Sequence, residues 1–219
     1  MQRREFTFAG IAGVTAAGLA TLSLPARAQS ASDYTAGKDY MVLRKPVATS
    51  APAGKVEVIE FFGYWCPHCN TFDPEFNAWM KSAPAHIQFR RVPVAFRPEM
   101  APMQRLFYAL EAVGMVSRMH GKVFNAYHNQ RIDLSTDAAI LKWAAQQPEL
   151  KDGRFAQAYQ SFGMSAKLNQ ANQLVEAFAI DGVPSLGVAG KYYLDGQTAR
   201  GLTRGIQIAT ALAAQEARR

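Results

Sequence analysis

The chain has 219 residues, 49% of them hydrophobic, with a formal net charge of +7 and only two cysteines. That length and apolar content allow a full core, in one composite domain or two interlocked ones. No Lys/Arg cluster interleaves with aromatics, which argues against a nucleic-acid partner, and the charge reads as an ordinary basic surface.

Arg3 and Arg4 precede an uncharged, mildly apolar run over residues 6–25, and Ala26-Arg27-Ala28 closes it with the small-x-small pattern of a signal-peptidase site. Residues 1–28 therefore read as an export signal, cut before Gln29. Arg3-Arg4-Glu5-Phe6 also resembles a twin-arginine signal, with Sec export as the alternative. An uncleaved anchor is a third reading, since the run is nearly long enough to span a bilayer. Removing the segment takes Arg3, Arg4, Arg27 and Glu5 with it and leaves +5.

Residues 29–37 form a polar, small-residue linker, and 40–43 fit a short first strand. Residues 55–62, containing Val56-Glu57-Val58-Ile59-Glu60-Phe61-Phe62, have the β-branched and aromatic content of a buried strand, and 70–81 read as a helix. Between them lies Cys66-Pro67-His68-Cys69, which holds both cysteines of the chain. Any redox or metal chemistry must pass through that pair.

A thiol in the first turn of a helix faces unpaired N–H groups and the positive end of the dipole, which favour thiolate. Cys66 is thus expected to be an acidic, exposed nucleophile, and Cys69, one turn on and turned inward, its resolving partner. Pro67 suits the first turn, where its missing N–H would have gone unbonded. His68 adds a further stabiliser of the Cys66 thiolate. A stabilised dithiol makes the disulfide more oxidising.

Glu60 is a carboxylate inside a buried-looking strand, which is costly unless paired or protonated, and Arg91 on the next predicted strand is its candidate partner. Pro74 should kink the helix. Residues 88–96 give a third strand, although Pro93 removes one ladder donor. Helical periodicity then runs through 102–113, 116–128, 136–147, 154–162 and 166–180, with Ser135 or Thr136 and Ser165 as N-caps. Met100, Met103, Met115 and Met119 fit the core better than a peptide surface. His120 and His128 read as surface or capping residues. The chain returns to strands at 186–189 and 191–194, an antiparallel hairpin turned at Gly190, and ends in a helix from 199 or 200 to 217.

The segment from Val58 to Cys69 and, far downstream, Gly182-Val183-Pro184-Ser185 resemble the DsbA-type periplasmic thiol:disulfide oxidoreductases. The likeness of organisation covers nearly the whole mature chain. It implies an α/β thioredoxin-like fold over 29–98 and 173–219, with an all-helical domain inserted at 99–172. It further implies a cis-Pro184 facing the CxxC, with Gly182 and Val183 giving close backbone approach and an apolar contact to substrate. By the same resemblance Glu60 lies beneath the active site as a candidate proton relay for the inner cysteine. The implied activity is a periplasmic oxidase acting on unfolded, cysteine-containing exported proteins. It would be a monomer with no cofactor beyond its redox-active disulfide, reoxidised by a quinone-linked membrane oxidase of the DsbB type. DsbA is itself a reference case of an acidic cysteine and of an oxidising couple, so for this chain both properties are implied by the resemblance.

The other readings of the pair are weaker. A zinc site wants four ligands, and beyond His68 the chain offers only His86, His120 and His128. A c-type haem needs His where Asn70 stands. A structural disulfide across so short a loop constrains the unfolded chain little. A reductase or isomerase would use the same motif, but isomerases of this kind usually add a dimerisation domain, for which residues 29–38 are too short. A non-enzymatic peptide binder or metal-delivery protein remains as the non-oxidase alternative.

Overall fold

The computed structural model describes residues 30–219; the export signal expected over 1–28 and its cut before Gln29 lie outside the described residues. The strands are β1 (Met41–Val42), β2 (Val56–Phe62), β3 (Ile87–Pro93), β4 (Ser185–Val188) and β5 (Tyr192–Asp195). They form one mixed sheet in the order β1-β5-β4-β2-β3. β2 is parallel to β3 and antiparallel to β4, and β5 is antiparallel to both β4 and β1.

All seven residues of β2 are buried, as a central strand covered on both faces requires. Ile59 and Phe61 pack into one apolar cluster with helices that follow β3. Val56 and Val58 pack into the other, with Phe72, Phe76 and Trp79 of α1 (Pro67–Ser82) and Ile208 and Leu212 of α7 (Leu202–Glu216). The sheet is therefore a layer between two sets of helices.

Between β3 and β4 the chain is helical: α2 (Ala101–Ala112), α3 (Val116–Phe124), α4 (Asp137–Ala145), α5 (Arg154–Tyr159) and α6 (Met164–Ala177). Met103 and Met119 are buried and Met100 and Met115 partly so. The helix expected to reach 128 leaves α geometry at Asn125 and closes in a π-turn over Asn125–Asn129. Thr136 caps α4, its Oγ1 accepting from the Ala139 N–H at 3.2 Å. Ser165 is not a cap: α6 begins one residue earlier, at the buried Met164, and apolar burial there outweighs the hydroxyl's preference for the helix end.

The third strand ends at Pro93 and not at 96, because its partner β2 ends at Phe62, with which Pro93 is in register. β3 is an edge strand, so the N–H that Pro93 lacks is not missed. The β4–β5 turn is carried by Ala189 and Gly190, at φ 54° and 64°, the paired positive values of a type I′ hairpin. A Cβ on Gly190 would sit 1.9 Å from the Val47 carbonyl oxygen, while the Val47 N–H donates to the Gly190 carbonyl at 2.7 Å. Glycine is required there on both counts.

Candidate active site

β2 runs out at Phe62, and the next three residues form the turn that delivers Cys66 to the start of α1. Gly63 has no room for a side chain, since a Cβ would meet the Trp65 ring at 2.5 Å. The Cys66 N–H donates to the Gly63 carbonyl at 3.0 Å, and Trp65 is tied to the Val94 carbonyl through its indole N–H at 3.2 Å. Cys66 is the N-cap residue of α1, with Pro67 in the first position. The helix runs one turn further back than residues 70–81 predict, because Pro67 is already set for helical φ.

Both cysteines are free thiols. The Cys69 N–H donates to Cys66 Sγ at 3.4 Å, so the sulfur caps the helix. The thiol is held down to about 6, first by the Cys69 thiol donating to it, then by backbone N–H groups of Cys69 and His68 and the nearby His68 ring; burial opposes this. Burial pushes Cys69 far above the ordinary thiol range, and the Cys66 sulfur and the Glu60 charge push the same way. One cysteine is an acidic nucleophile and the other is kept protonated.

Cys66 is not exposed as expected: its accessibility is 4%. The loop before β4 closes over it, and its Sγ donates to the Val183 carbonyl at 3.3 Å. The Val183–Pro184 bond is cis. Pro184 is buried, with Gly182 and Val183 half-buried. His68 and Pro67 are exposed. A groove of about 520 Å³ at the cis-proline loop is lined by His68, Asp181, Val183, Pro184, Asp195 and Leu202, so residues more than a hundred positions apart form one surface.

Glu60 is 1% exposed and near enough for its charge to act on Cys69. Arg91, in register with it across β2 and β3, donates through Nε to Glu60 Oε2 at 2.7 Å. The same guanidinium donates through Nη2 to Asp73 Oδ1 at 2.8 Å and to Asn77 Oδ1 at 3.0 Å, both on α1. Burial raises Glu60 to about 7, against the pull of Arg91. It can therefore take or release a proton near neutrality.

His120 is not a surface residue, and His128 is half-buried. His120 is 3% exposed; its Nδ1 lies 2.7 Å from the Tyr64 hydroxyl and its Nε2 3.2 Å from Asp73 Oδ1. His128 donates through Nε2 to the Tyr64 carbonyl at 2.8 Å. Neither role is legible in the sequence, where an amphipathic helix offers no mark of which histidine faces inward. Among the described residues no group of three or more His, Cys, Asp or Glu is placed to hold a metal ion, and no helix is long and apolar enough to cross a membrane.

The family model described as a DSBA-like thioredoxin domain matches residues 57–213. The chain belongs to this family. Among its relatives, the thiol:disulfide interchange protein DsbA of Burkholderia cepacia is 46% identical over 177 residues, 81% of this chain and 80% of the relative. The protein of that name from Pseudomonas aeruginosa PAO1 is 36% identical over 198 residues, covering 90% and 93%. The crystal structure of Pseudomonas aeruginosa DsbA superposes with a TM-score of 0.80 at 35% identity, over 86% of this chain and 97% of that one. NmDsbA1 from Neisseria meningitidis gives 0.73 at 30% identity, over 85% and 96%. The DSBA-like fold and its CxxC make this chain a thiol:disulfide oxidoreductase.

Proposed function

We propose that the protein donates the Cys66–Cys69 disulfide to newly exported polypeptides in the periplasm. A substrate thiolate attacks the Cys66 sulfur, forming a mixed disulfide and releasing the Cys69 sulfur, which takes up a proton. A second substrate thiol, as thiolate, then attacks the substrate sulfur of that bond and expels Cys66 as thiolate. The substrate loses two electrons and the enzyme gains them. The observation that carries this reading is the split between the two sulfurs: Cys66, capping α1, is a good leaving thiolate, and Cys69 is buried as a thiol.

In this reading the extended substrate pairs with the backbone at Val183 beside Pro184, Gly182 allowing close approach, while His68 and Pro67 present the Cys66 sulfur to the attacking thiolate. Glu60 supplies the proton that Cys69 takes up. The enzyme works as a monomer without a further cofactor and is reoxidised by a quinone-linked membrane oxidase of the DsbB type. Residues 1–28 direct export. Residues 29–98 and 173–219 form the redox domain, and 99–172 the inserted helical domain.

Trapping tests the order of steps. Cys69→Ser, activated with an aromatic disulfide reagent and mixed with a reduced, unfolded substrate protein, should accumulate mixed disulfides through Cys66, seen by non-reducing gels and mass spectrometry. Cys66→Ser treated in the same way should form none, and adducts on Cys69 instead would reverse the roles.

A further inference from the structure

Cys66, Cys69 and Glu60 carry the proposed chemistry, but a group buried just as deeply stands two residues before the nucleophile. Tyr64 is 1% exposed, and burial raises its hydroxyl well above the ordinary phenol range, so it remains a donor. Its partner at 2.7 Å must then be an unprotonated Nδ1, which leaves the proton of a neutral His120 on Nε2, 3.2 Å from Asp73 Oδ1 but without hydrogen-bond geometry to it. Burial lowers His120 to about 4, outweighing Asp73, in keeping with a neutral ring. Burial alone would raise Asp73, yet His120 and Arg91 hold it below the usual carboxylate range.

The contacts therefore run from Glu60 through Arg91 to Asp73, from Asp73 to His120, and from His120 to Tyr64. Phe62, Phe107 and Phe124 pack around the imidazole with ring centroids at 4.9, 6.0 and 5.1 Å. His128, from the π-turn that follows α3, holds the Tyr64 carbonyl. One tyrosine is thus fixed by its hydroxyl and by its backbone, in both cases by a histidine of the helical segment between β3 and β4.

We infer that His120, with His128 in support, is a positioning residue for the redox turn, holding Tyr64 so that Cys66 stays aimed at the N–H groups that stabilise its thiolate. This rests on the reading of Cys66 as the leaving thiolate. The Cys69 N–H donates to the Cys66 sulfur at 3.4 Å, and a movement of the turn that lengthens or misaligns this contact weakens it. A looser turn destabilises the reduced form and makes the disulfide a weaker oxidant. Tyr64→Phe removes only the hydroxyl and leaves His120 Nδ1 without a donor, while His120→Gln removes the ring that accepts from Tyr64 and approaches Asp73.

The experiment is a thiolate titration of Cys66 by ultraviolet absorbance together with the glutathione equilibrium of the full mature protein. It compares wild type, Tyr64→Phe, His120→Gln, the double variant, and Val123→Ala as a control. Val123 is fully buried on α3 but touches none of these hydrogen bonds. Loss of a buried hydrogen bond should shift the glutathione equilibrium by about three- to tenfold toward the enzyme disulfide. It should also raise the Cys66 titration, with the double variant little worse than either single one. Val123→Ala should lower the melting temperature and leave both redox readouts unchanged. If Tyr64→Phe and His120→Gln behave like Val123→Ala, the histidine only supports the fold and the inference is overturned. Wild-type protein with an ordinary thiol titration would instead overturn the underlying assignment of Cys66.

Discussion

The Cys66 sulfur donates to the carbonyl of Val183 at 3.3 Å, so in the dithiol form the nucleophile occupies the same backbone that an extended substrate would pair with. Ionisation of Cys66 removes that donor. The carbonyl is then free to accept from a substrate N–H, and the charged sulfur is repelled by the carbonyl dipole. If the substrate pairs at Val183 as proposed, thiolate formation and release of that carbonyl are the same event.

The two redox forms should differ in how their stability depends on pH. The Cys66 value in the folded dithiol protein, about 6, lies below that of an ordinary thiol. A depressed value adds stability that is complete above the unfolded-state value and lost as pH falls through about 6. The disulfide form has no such group. Denaturant unfolding of both forms at pH 4.5 and pH 8 should show the reduced form gaining on the oxidised one at the higher pH. A gap that is flat or moves the other way would refute the assignment.

Glu60 should act with the opposite sign. Its value is raised to about 7 by burial, so its favourable contribution is present below the ordinary carboxylate value and lost as pH rises through 7. Relative to Glu60→Gln, wild type should become progressively less stable between pH 4.5 and 7, measured in a background with both cysteines replaced by serine. Parallel pH curves for the two proteins would show that Glu60 does not titrate in that range.

Gly190→Ala should destabilise the protein by about 1 to 3 kcal/mol, from the left-handed backbone and the approach of Val47. The check is urea denaturation. A loss within about 0.5 kcal/mol, the ordinary scatter of surface substitutions, would mean that the turn relaxes freely.

Tyr159 is 1% exposed, and its hydroxyl bridges Asp137 Oδ1 at 2.6 Å and the Pro102 carbonyl at 3.2 Å, linking α5 to α4 and α2. Tyr159→Phe should lower stability by about 1 to 3 kcal/mol, with the glutathione equilibrium unchanged because its hydroxyl bonds Asp137 and Pro102 and not the redox turn. A redox shift without a stability loss would contradict the separation of the two regions.

Much of this molecule is legible in local sequence order. The apolar run of β2, Pro67 at a helix start and Gly190 between two short apolar runs each act through neighbouring residues, and each element appears close to where its pattern places it. The pairing of Glu60 with Arg91 also follows from adjacent strands in parallel register. The burial of Cys66 is not legible, because the loop that covers it arrives from 117 residues away. Helical periodicity misplaces His120 and His128 for the same reason: their partner Tyr64 lies 56 and 64 positions upstream. Helical spacing specifies a face but not what another segment brings to it.

Disulfide donation is tested at its root by the equilibrium of the mature protein with glutathione buffers of graded potential, following the Cys66–Cys69 pair by alkylation and mass. A disulfide donor remains dithiol until the buffer is strongly oxidising, in the range of oxidising family couples and well above reducing thioredoxin couples. A disulfide that persists in reducing glutathione would overturn the donor role and assign the pair to reduction or to structure.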